Sequence, residues 1–204
     1  MAITTYSELQ TAVANWLNRS DLTSQIPEFI DLTEADIRTD LYDSQMETRA
    51  YATTSISSAY LAFPDDFRSI RRMQIVYGGV EYLIEERTPS ELARYDDSGT
   101  GLPRYFAVIG DQFQFWPAPD AGYRVEITYH KDVPALSDSN TSNWLLTDAP
   151  NLYLYGACKH AAVYIRDNEM LSISGALYGQ ALEKMIKQNQ RRKYGAHPLR
   201  TKAV

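Results

Sequence analysis

Apolar side chains recur every three to four positions at both ends of the chain, a spacing typical of α-helices that bury one face. The first predicted helix begins at a capping box formed by Thr5 and Glu8, and the second begins near Ile26 with Pro27 in its first turn. Their predicted buried stripes hold Leu9, Val13, Trp16 and Leu17 in the first helix, and Ile26, Phe29, Ile30, Thr33, Ile37 and Leu41 in the second.

The second predicted helix also carries an acidic face. Its carboxylates are Glu28, Asp31, Glu34, Asp36 and Asp40. We expect this face to be solvated, and it would repel a DNA backbone rather than bind it.

The helical pattern returns after residue 147. One helix is predicted from Asp148 to about Arg166 and a last one from about Glu169 to Tyr194, before Gly195 and Pro198. The stripe of the last helix is predicted to hold Met170, Ile173, Leu177, Ala181 and Met185. This stripe fades beyond residue 186, so we expect the end of the helix to pack against little within its own monomer.

The middle of the chain has the pattern of β-strands. Strands are predicted near residues 48–56, 60–63, 72–77, 80–86, 104–109, 112–116 and 123–131. Gly78-Gly79 indicates a tight hairpin, and Thr88 with Glu91 caps a short helix. The predicted fold class is therefore α+β: a bundle of N- and C-terminal helices (1–45 and 146–194) with an inserted antiparallel β lobe (46–145) and a flexible C-terminal tail (195–204).

Charge divides the chain into an acidic body and a basic end. The net charge is −6, but residues 1–183 hold all 26 acidic side chains and 13 basic ones, whereas residues 184–204 hold only basic ones. These are Lys184, Lys187, Arg191, Arg192, Lys193, Arg200 and Lys202. The basic end could bind nucleic acid phosphate, bind an acidic protein surface, or only complement the helix dipole.

Other features of the sequence bear on the cellular compartment of the protein. Its single cysteine, Cys158, cannot form an internal disulfide. The N-terminus lacks the pattern of a signal peptide, and no stretch is long and apolar enough for a membrane span. We therefore expect the protein to stay in the cytosol in which it is made, with no membrane partner.

The search for reactive side chains predicts no catalytic, cofactor-binding or metal-binding residue. Cys158 and His160 are two positions apart on a predicted helix, so they point in different directions, and Cys158 is expected to be a buried apolar residue. Asp65-Asp66 is interpreted as a turn cap, and Asp96-Asp97 lacks the ligand spacing of a calcium loop.

Four stretches, in their order and spacing, resemble a known family. They are residues 63–67 (FPDDF), 115–119 (FWPAP), 127–136 (ITYHKDVPAL) and 143–157 (NWLLTDAPNLYLYGA), and the predicted helix from Ile26 to Asp43 also fits. They resemble the head-to-tail adaptor (connector) proteins of tailed bacteriophages, which are similar to gatekeeper proteins or tail tubular protein A. The resemblance spans residues 5–190.

The resemblance implies a structural virion protein at the head–tail junction, with no active site and no cofactor. It implies a ring, typically of twelve copies, that docks under the portal protein, extends the DNA channel and carries a downstream tail or nozzle protein. DNA would pass through without specific binding. The expected portal-docking residues are Lys184, Lys187, Arg191, Arg192, Lys193, Tyr194, Arg200 and Lys202.

Two further expectations accompany the resemblance. A closed ring needs two different lateral faces on each subunit, and exposed Tyr and Trp side chains suit such contacts. The alternative function is nucleic-acid binding by the same basic C-terminal segment.

Overall fold

A computed structural model describes residues 3–95 and 99–194, and it has the α+β class that the pattern predicts. In chain order the elements are α1 Tyr6–Leu17, α2 Ile26–Asp40, β1 Glu47–Thr53, β2 Tyr60–Ala62, β3 Phe67–Tyr77, β4 Val80–Glu86, α3 Pro89–Leu92, β5 Tyr105–Ile109, β6 Gln112–Trp116, β7 Arg124–Lys131, α4 Trp144–Asp148, α5 Pro150–Ile165 and α6 Asn168–Tyr194. They form two compact units, a helical unit before residue 45 and after residue 132, and a β lobe over residues 45–132.

The N-terminal helices begin where the sequence predicts. The Thr5 side chain accepts a hydrogen bond from the Glu8 backbone N–H, and the Glu8 carboxylate accepts one from the Thr5 backbone, which completes the capping box of α1. α2 begins at Ile26 with Pro27 in its first turn, and every residue of its predicted stripe is buried. The predicted stripe of α1 is wrong at one position, because the Trp16 side chain is 53% exposed.

The buried face of α6 also differs from the prediction. Ile173 is 54% exposed, and the buried positions are Ser174, Tyr178, Ala181, Met185 and Asn189. Ala181 and Met185 are buried as predicted, but Ser174 and Tyr178 are buried in place of the predicted Ile173 and Leu177, one residue or about 100° around the helix. This register places two polar residues, Ser174 and Asn189, in the interior, where an apolar pattern could not reveal them.

The described part of the β lobe is a seven-stranded sheet with the order β1-β7-β3-β4-β5-β6-β2. Its strand pairs are antiparallel except β4 and β5, which run parallel, with Glu85 opposite Tyr105. The predicted antiparallel lobe is therefore a mixed sheet. The reason is the connection through α3, because a short helix between two strands lets the chain cross over and re-enter in the same direction.

The β3–β4 hairpin has the turn that its two glycines predict. Gly78 and Gly79 both have positive φ, 60° and 78°, which is the requirement of a type I′ turn. This turn fixes the pairing of Tyr77 with Val80 and of Gln74 with Leu83. Because paired residues share a face, the turn also decides which side chains of β4 point away from the lobe core.

The boundary between the two units lies earlier than the predicted residue 146. The loop after β7 packs with the helices, since Leu136, Leu145 and Leu146 are buried in the helical core. Residues 133–145 therefore belong to the helical unit. Asn143 holds this loop in place by accepting a hydrogen bond from the Leu146 backbone N–H at 2.7 Å and donating to the Tyr153 hydroxyl at 2.8 Å.

Candidate docking site at the end of the last helix

The candidate site is the basic end of α6, over residues 184–194. Lys184, Lys187 and Arg191 are exposed and spaced three and four residues apart, so they share one helix face. Lys187 also pairs with Glu183 one turn earlier, at 2.6 Å between Nζ and Oε1. Such an exposed pair contributes little stability, so it leaves the lysine available to a stronger partner.

The opposite side of residues 184–194 forms hydrogen bonds with other residues of the same chain. Asn189 is buried, its Nδ2 donates to the Tyr42 carbonyl at 2.8 Å, and its Oδ1 accepts from the Ser44 backbone N–H at 3.0 Å. The expectation that the end of the helix packs against little in its monomer is therefore wrong. A buried asparagine satisfies two backbone groups of the segment that follows α2.

Arg192 also contacts the helical unit rather than solvent alone. Its guanidinium lies 3.3 Å from Asp148 Oδ2 and 3.8 Å from Asp43 Oδ1, and the Asp43 side chain is only 1% exposed. A buried carboxylate needs such a cation nearby, since an isolated buried charge is costly. Arg192 therefore holds the helix end in place within the chain.

The predicted docking residues thus divide into groups. Lys184, Lys187 and Arg191 lie together on the outward face, Lys193 is exposed on a different side of the helix, and Arg192 faces inward. Tyr194 is the last residue of α6. Arg200 and Lys202 lie outside the described residues. The outward face can bind carboxylates or phosphates, because each of its cations is a hydrogen-bond donor on a long side chain.

A family comparison decides what kind of protein carries this face. The model of the SU10 adaptor protein family, a family of phage head-to-tail adaptors, matches residues 4–202. The chain belongs to this family. The resemblance drawn from the sequence motifs is confirmed, and the adaptor is accordingly a bacteriophage virion protein. No curated protein matches the chain.

The other candidate groups of the adaptor have structural roles. Cys158 is fully buried, and burial raises the pKa of its thiol to about 12. Asp66 accepts a hydrogen bond from the Tyr129 hydroxyl of β7 at 2.6 Å, which joins its turn to that strand, and Asp96-Asp97 lies outside the described residues. Within residues 3–95 and 99–194, no cluster of His, Cys, Asp and Glu could hold a metal ion, and no helix is long and apolar enough to cross a membrane.

The acidic face of α2 is only partly solvated. Glu34 accepts a hydrogen bond from the Leu136 backbone N–H at 2.9 Å, and burial raises the pKa of its carboxyl. Asp36 accepts one from Lys159 Nζ at 2.5 Å and lies 2.7 Å from His160 Nε2. Two of the five carboxylates therefore fasten α2 to other parts of the helical unit.

Replacing Asp36 with asparagine is expected to lower the free energy of unfolding by about 1 kcal/mol at pH 7. Partial burial raises the pKa of Asp36, but hydrogen bonds from Lys159 and His160 outweigh it and hold the pKa below the ordinary 3.8. The stabilisation is present above that pH and is lost as the pH falls through the folded-state pKa. Urea unfolding of both proteins, at pH 7 and at pH values falling below 3.8, should show the difference shrinking. Asp31→Asn, at an exposed position of the same helix, should change stability little at either pH.

Three residues of the site were not predicted from the sequence. Asn189 continues the buried face of α6 four residues after Met185, but an asparagine at that spacing does not extend an apolar pattern, so nothing in the sequence signalled its burial. Asp43 and Asp148 lie far from Arg192 in the sequence, and nothing local marks them as its partners.

Proposed function

We propose that the adaptor docks as a ring beneath the portal protein, extends the DNA channel and carries the next tail component. Family membership supports the adaptor role. The observation that carries the docking mode is the outward basic face of α6, in a chain whose other 183 residues have a net charge of −13. The role is structural, and the proposal assigns no catalytic residue.

The basic face of α6 is proposed to bind an acidic surface of the portal. Charge complementarity sets the orientation of such a contact and speeds association. The face is already positioned in the single chain, because Asn189 and Arg192 hold the inward side of the same helical turns. Less conformational entropy is therefore lost when the portal binds.

The acidic body is proposed to suit a wall along which DNA slides. A surface that repels phosphates provides no adhesive site for a passing duplex. Twelve copies is the ring size that the family resemblance implies. Cryo-electron microscopy of the adaptor bound to the portal of the same phage would count the copies and locate the channel.

Replacing Lys184, Lys187 and Arg191 together with alanine is expected to weaken binding to the portal by at least about tenfold at physiological salt. The three side chains are exposed, so the fold should be unaffected. Binding can be measured by co-sedimentation with portal rings, with circular dichroism to confirm folding. We avoid Arg192 in this variant because its removal would also break contacts inside the chain.

The matched control removes three exposed arginines elsewhere, Arg19, Arg94 and Arg104, and therefore the same charge. It should bind the portal like the wild type. Equal binding by the control and by the α6 variant would refute the docking face. Tight, salt-dependent binding of DNA by the wild-type chain, lost in the α6 variant, would instead favour the nucleic-acid function.

A further inference from the structure

The strands at the two ends of the sheet, β1 and β2, each have one side without a neighbouring strand. Such an edge offers backbone N–H and C=O groups to other chains, and proteins protect their edges with short strands, prolines or bulges. β2 has this protection, because it is three residues long and Pro64 follows shortly after it. β1 is seven residues long, contains no proline and pairs with β7 in an unbroken register. β1 is therefore the unprotected edge of the sheet.

The direction of the backbone groups alternates along β1. Just beyond its end, the Thr54 backbone N–H donates to the Tyr123 carbonyl at 2.9 Å, so at this position the N–H points toward β7. Because alternate residues of a strand direct their backbone groups to opposite sides, those that point away from β7 are Arg49, Tyr51 and Thr53. All three residues are exposed, and within the described part of the chain no hydrogen bond is formed to their backbone groups.

The sequence of β1 is nearly a palindrome about Tyr51. Ala50 and Ala52 flank the tyrosine, and Arg49 and Thr53 lie outside the alanines. When two such strands pair antiparallel with Tyr51 opposite Tyr51, Arg49 falls opposite Thr53. Ala50 then falls opposite Ala52. Every outward N–H and C=O group of both strands gains a partner in this register, because outward residues lie opposite outward residues.

The side chains are compatible in this register. Arg49 lies beside a threonine of the other copy and keeps Glu126 of its own chain, at 3.5 Å. Arg124 lies 4.3 Å from the centre of the Tyr51 ring, so it covers a ring of its own copy. No two like charges are directly opposite, an arrangement that would destabilise the pair. The alanines suit the non-hydrogen-bonded positions, where paired strands approach most closely.

We propose that the free adaptor forms a twofold-symmetric dimer in which the β1 strands of two copies pair antiparallel about Tyr51. The partner is a second copy of this chain, because a near-palindrome is needed only by a strand that pairs with itself. A twofold contact uses the same surface on both copies and closes at two, so it is not a ring contact. The inference goes beyond the proposed function and does not depend on it. The dimer covers the unprotected edge before the chain enters an assembly.

Analytical ultracentrifugation of the full chain tests the dimer. One pair of strands is a small contact, so we expect a dissociation constant of about 100 μM, measurable from about 1 μM to 1 mM. Thr53→Pro removes an outward N–H without removing a bond to β7, and it should raise this constant at least about tenfold.

Thr53→Ala is the matched control, because it keeps the N–H, and its dissociation constant should stay within about twofold of the wild-type value. Circular dichroism checks that both variants fold. A wild-type chain that is monomeric up to about 1 mM overturns the inference, and so does a dimer that Thr53→Pro leaves unchanged.

Disulfide cross-linking tests the pairing without proline. Tyr51→Cys should form a covalent dimer on oxidation, since directly paired Cα atoms lie about 5.5 Å apart, within the range of a disulfide. Leu83→Cys is the control, because Leu83 is comparably exposed, 61% against 53% for Tyr51, but belongs to an internal strand. Cys158 is fully buried and burial raises the pKa of its thiol, so it does not compete. Equal cross-linking at both positions would contradict the β1 pairing.

Two further variants determine the register. Arg49→Cys alone and Thr53→Cys alone should remain uncross-linked, because each position lies about 14 Å from its own copy across the twofold axis, beyond the reach of about 7 Å for a disulfide. An equal mixture of the two variants should cross-link, since Arg49 lies opposite Thr53. Cross-linking by either variant alone, as strong as in the mixture, would rule out the register about Tyr51.

Discussion

Replacing Gly156 with alanine is expected to lower the free energy of unfolding of the helical unit by about 2 kcal/mol. A Cβ atom at this position of α5 would lie 2.2 Å from Thr33 Cγ2 and 3.0 Å from its Oγ1. Thr33 is fully buried on α2, and its hydroxyl donates to the Phe29 carbonyl at 2.7 Å, so it cannot turn away without loss. Alanine favours a helix over glycine by about 1 kcal/mol, but the overlap of the two helices outweighs this gain.

Urea unfolding measures the effect of Gly156→Ala, and Gly179→Ala in α6 is its control. A Cβ at Gly179 has nothing within 4 Å among the described residues, so that variant should be more stable by up to about 1 kcal/mol. Adding Thr33→Ala to Gly156→Ala removes the shortest contact and should recover part of the loss. If Gly156→Ala is as stable as Gly179→Ala, the close approach of α2 and α5 is wrong.

Replacing Asn189 with alanine is expected to reduce stability by about 2 kcal/mol and also to weaken portal binding, although no charge is removed. The variant leaves the Ser44 N–H and the Tyr42 carbonyl without the partners that Asn189 provides. The end of α6 then loses the hydrogen bonds that hold its inward side. The basic face is therefore less fixed in position before the portal binds. Gln190→Ala, one residue on and exposed, is the matched control.

Hydrogen exchange distinguishes this anchoring effect from general destabilisation. Exchange should accelerate at residues 42–44 and over the last turns of α6 in Asn189→Ala, while the buried turns of α5 remain protected. Unchanged exchange at the Ser44 amide would show that Asn189 does not anchor the segment. Portal binding by this variant at the wild-type level would show that the docking face does not need the anchor.

Much of the fold could be predicted because its signals are local. The capping boxes at Thr5 and Thr88, the turn glycines and the alternation along β6 each specify a structure within a few residues. The prediction of the buried stripe of α2 was also correct, because its residues recur at helical spacing without interruption and all lie on one face. Local signals of this kind placed most helices and strands to within a few residues, but β3 begins at Phe67, well before the predicted start, and the short helix α4 was not predicted.

The errors occurred where tertiary contacts decide the structure. Trp16 packs edge-on against Tyr155 at 5.5 Å and yet stays exposed, so its apolar character did not predict burial. The buried face of α6 shifted because Tyr178 and Asn189 have interior partners that periodicity cannot show. The parallel pairing of β4 with β5 depends on where the chain crosses over, and strand patterns do not report this.

The sequence predicted which kinds of residue form the candidate site, but not how their side chains are arranged. The clustering of cations after residue 183 was visible in the sequence, and the structure places those from Lys184 to Lys193 on the last turns of α6. Which cations face outward depends on the helix register, and the inward role of Arg192 depends on aspartates from other segments.

The chain enters and leaves the β lobe through two strands that are paired with each other. Glu47, at the start of β1, lies opposite His130, near the end of β7. Neighbouring strands are about 5 Å apart, so the two ends of the lobe lie close enough together for a short turn to join them. The lobe is therefore an insertion whose two ends lie side by side, and an insertion of this kind can change in sequence or length without requiring a change in the helical unit.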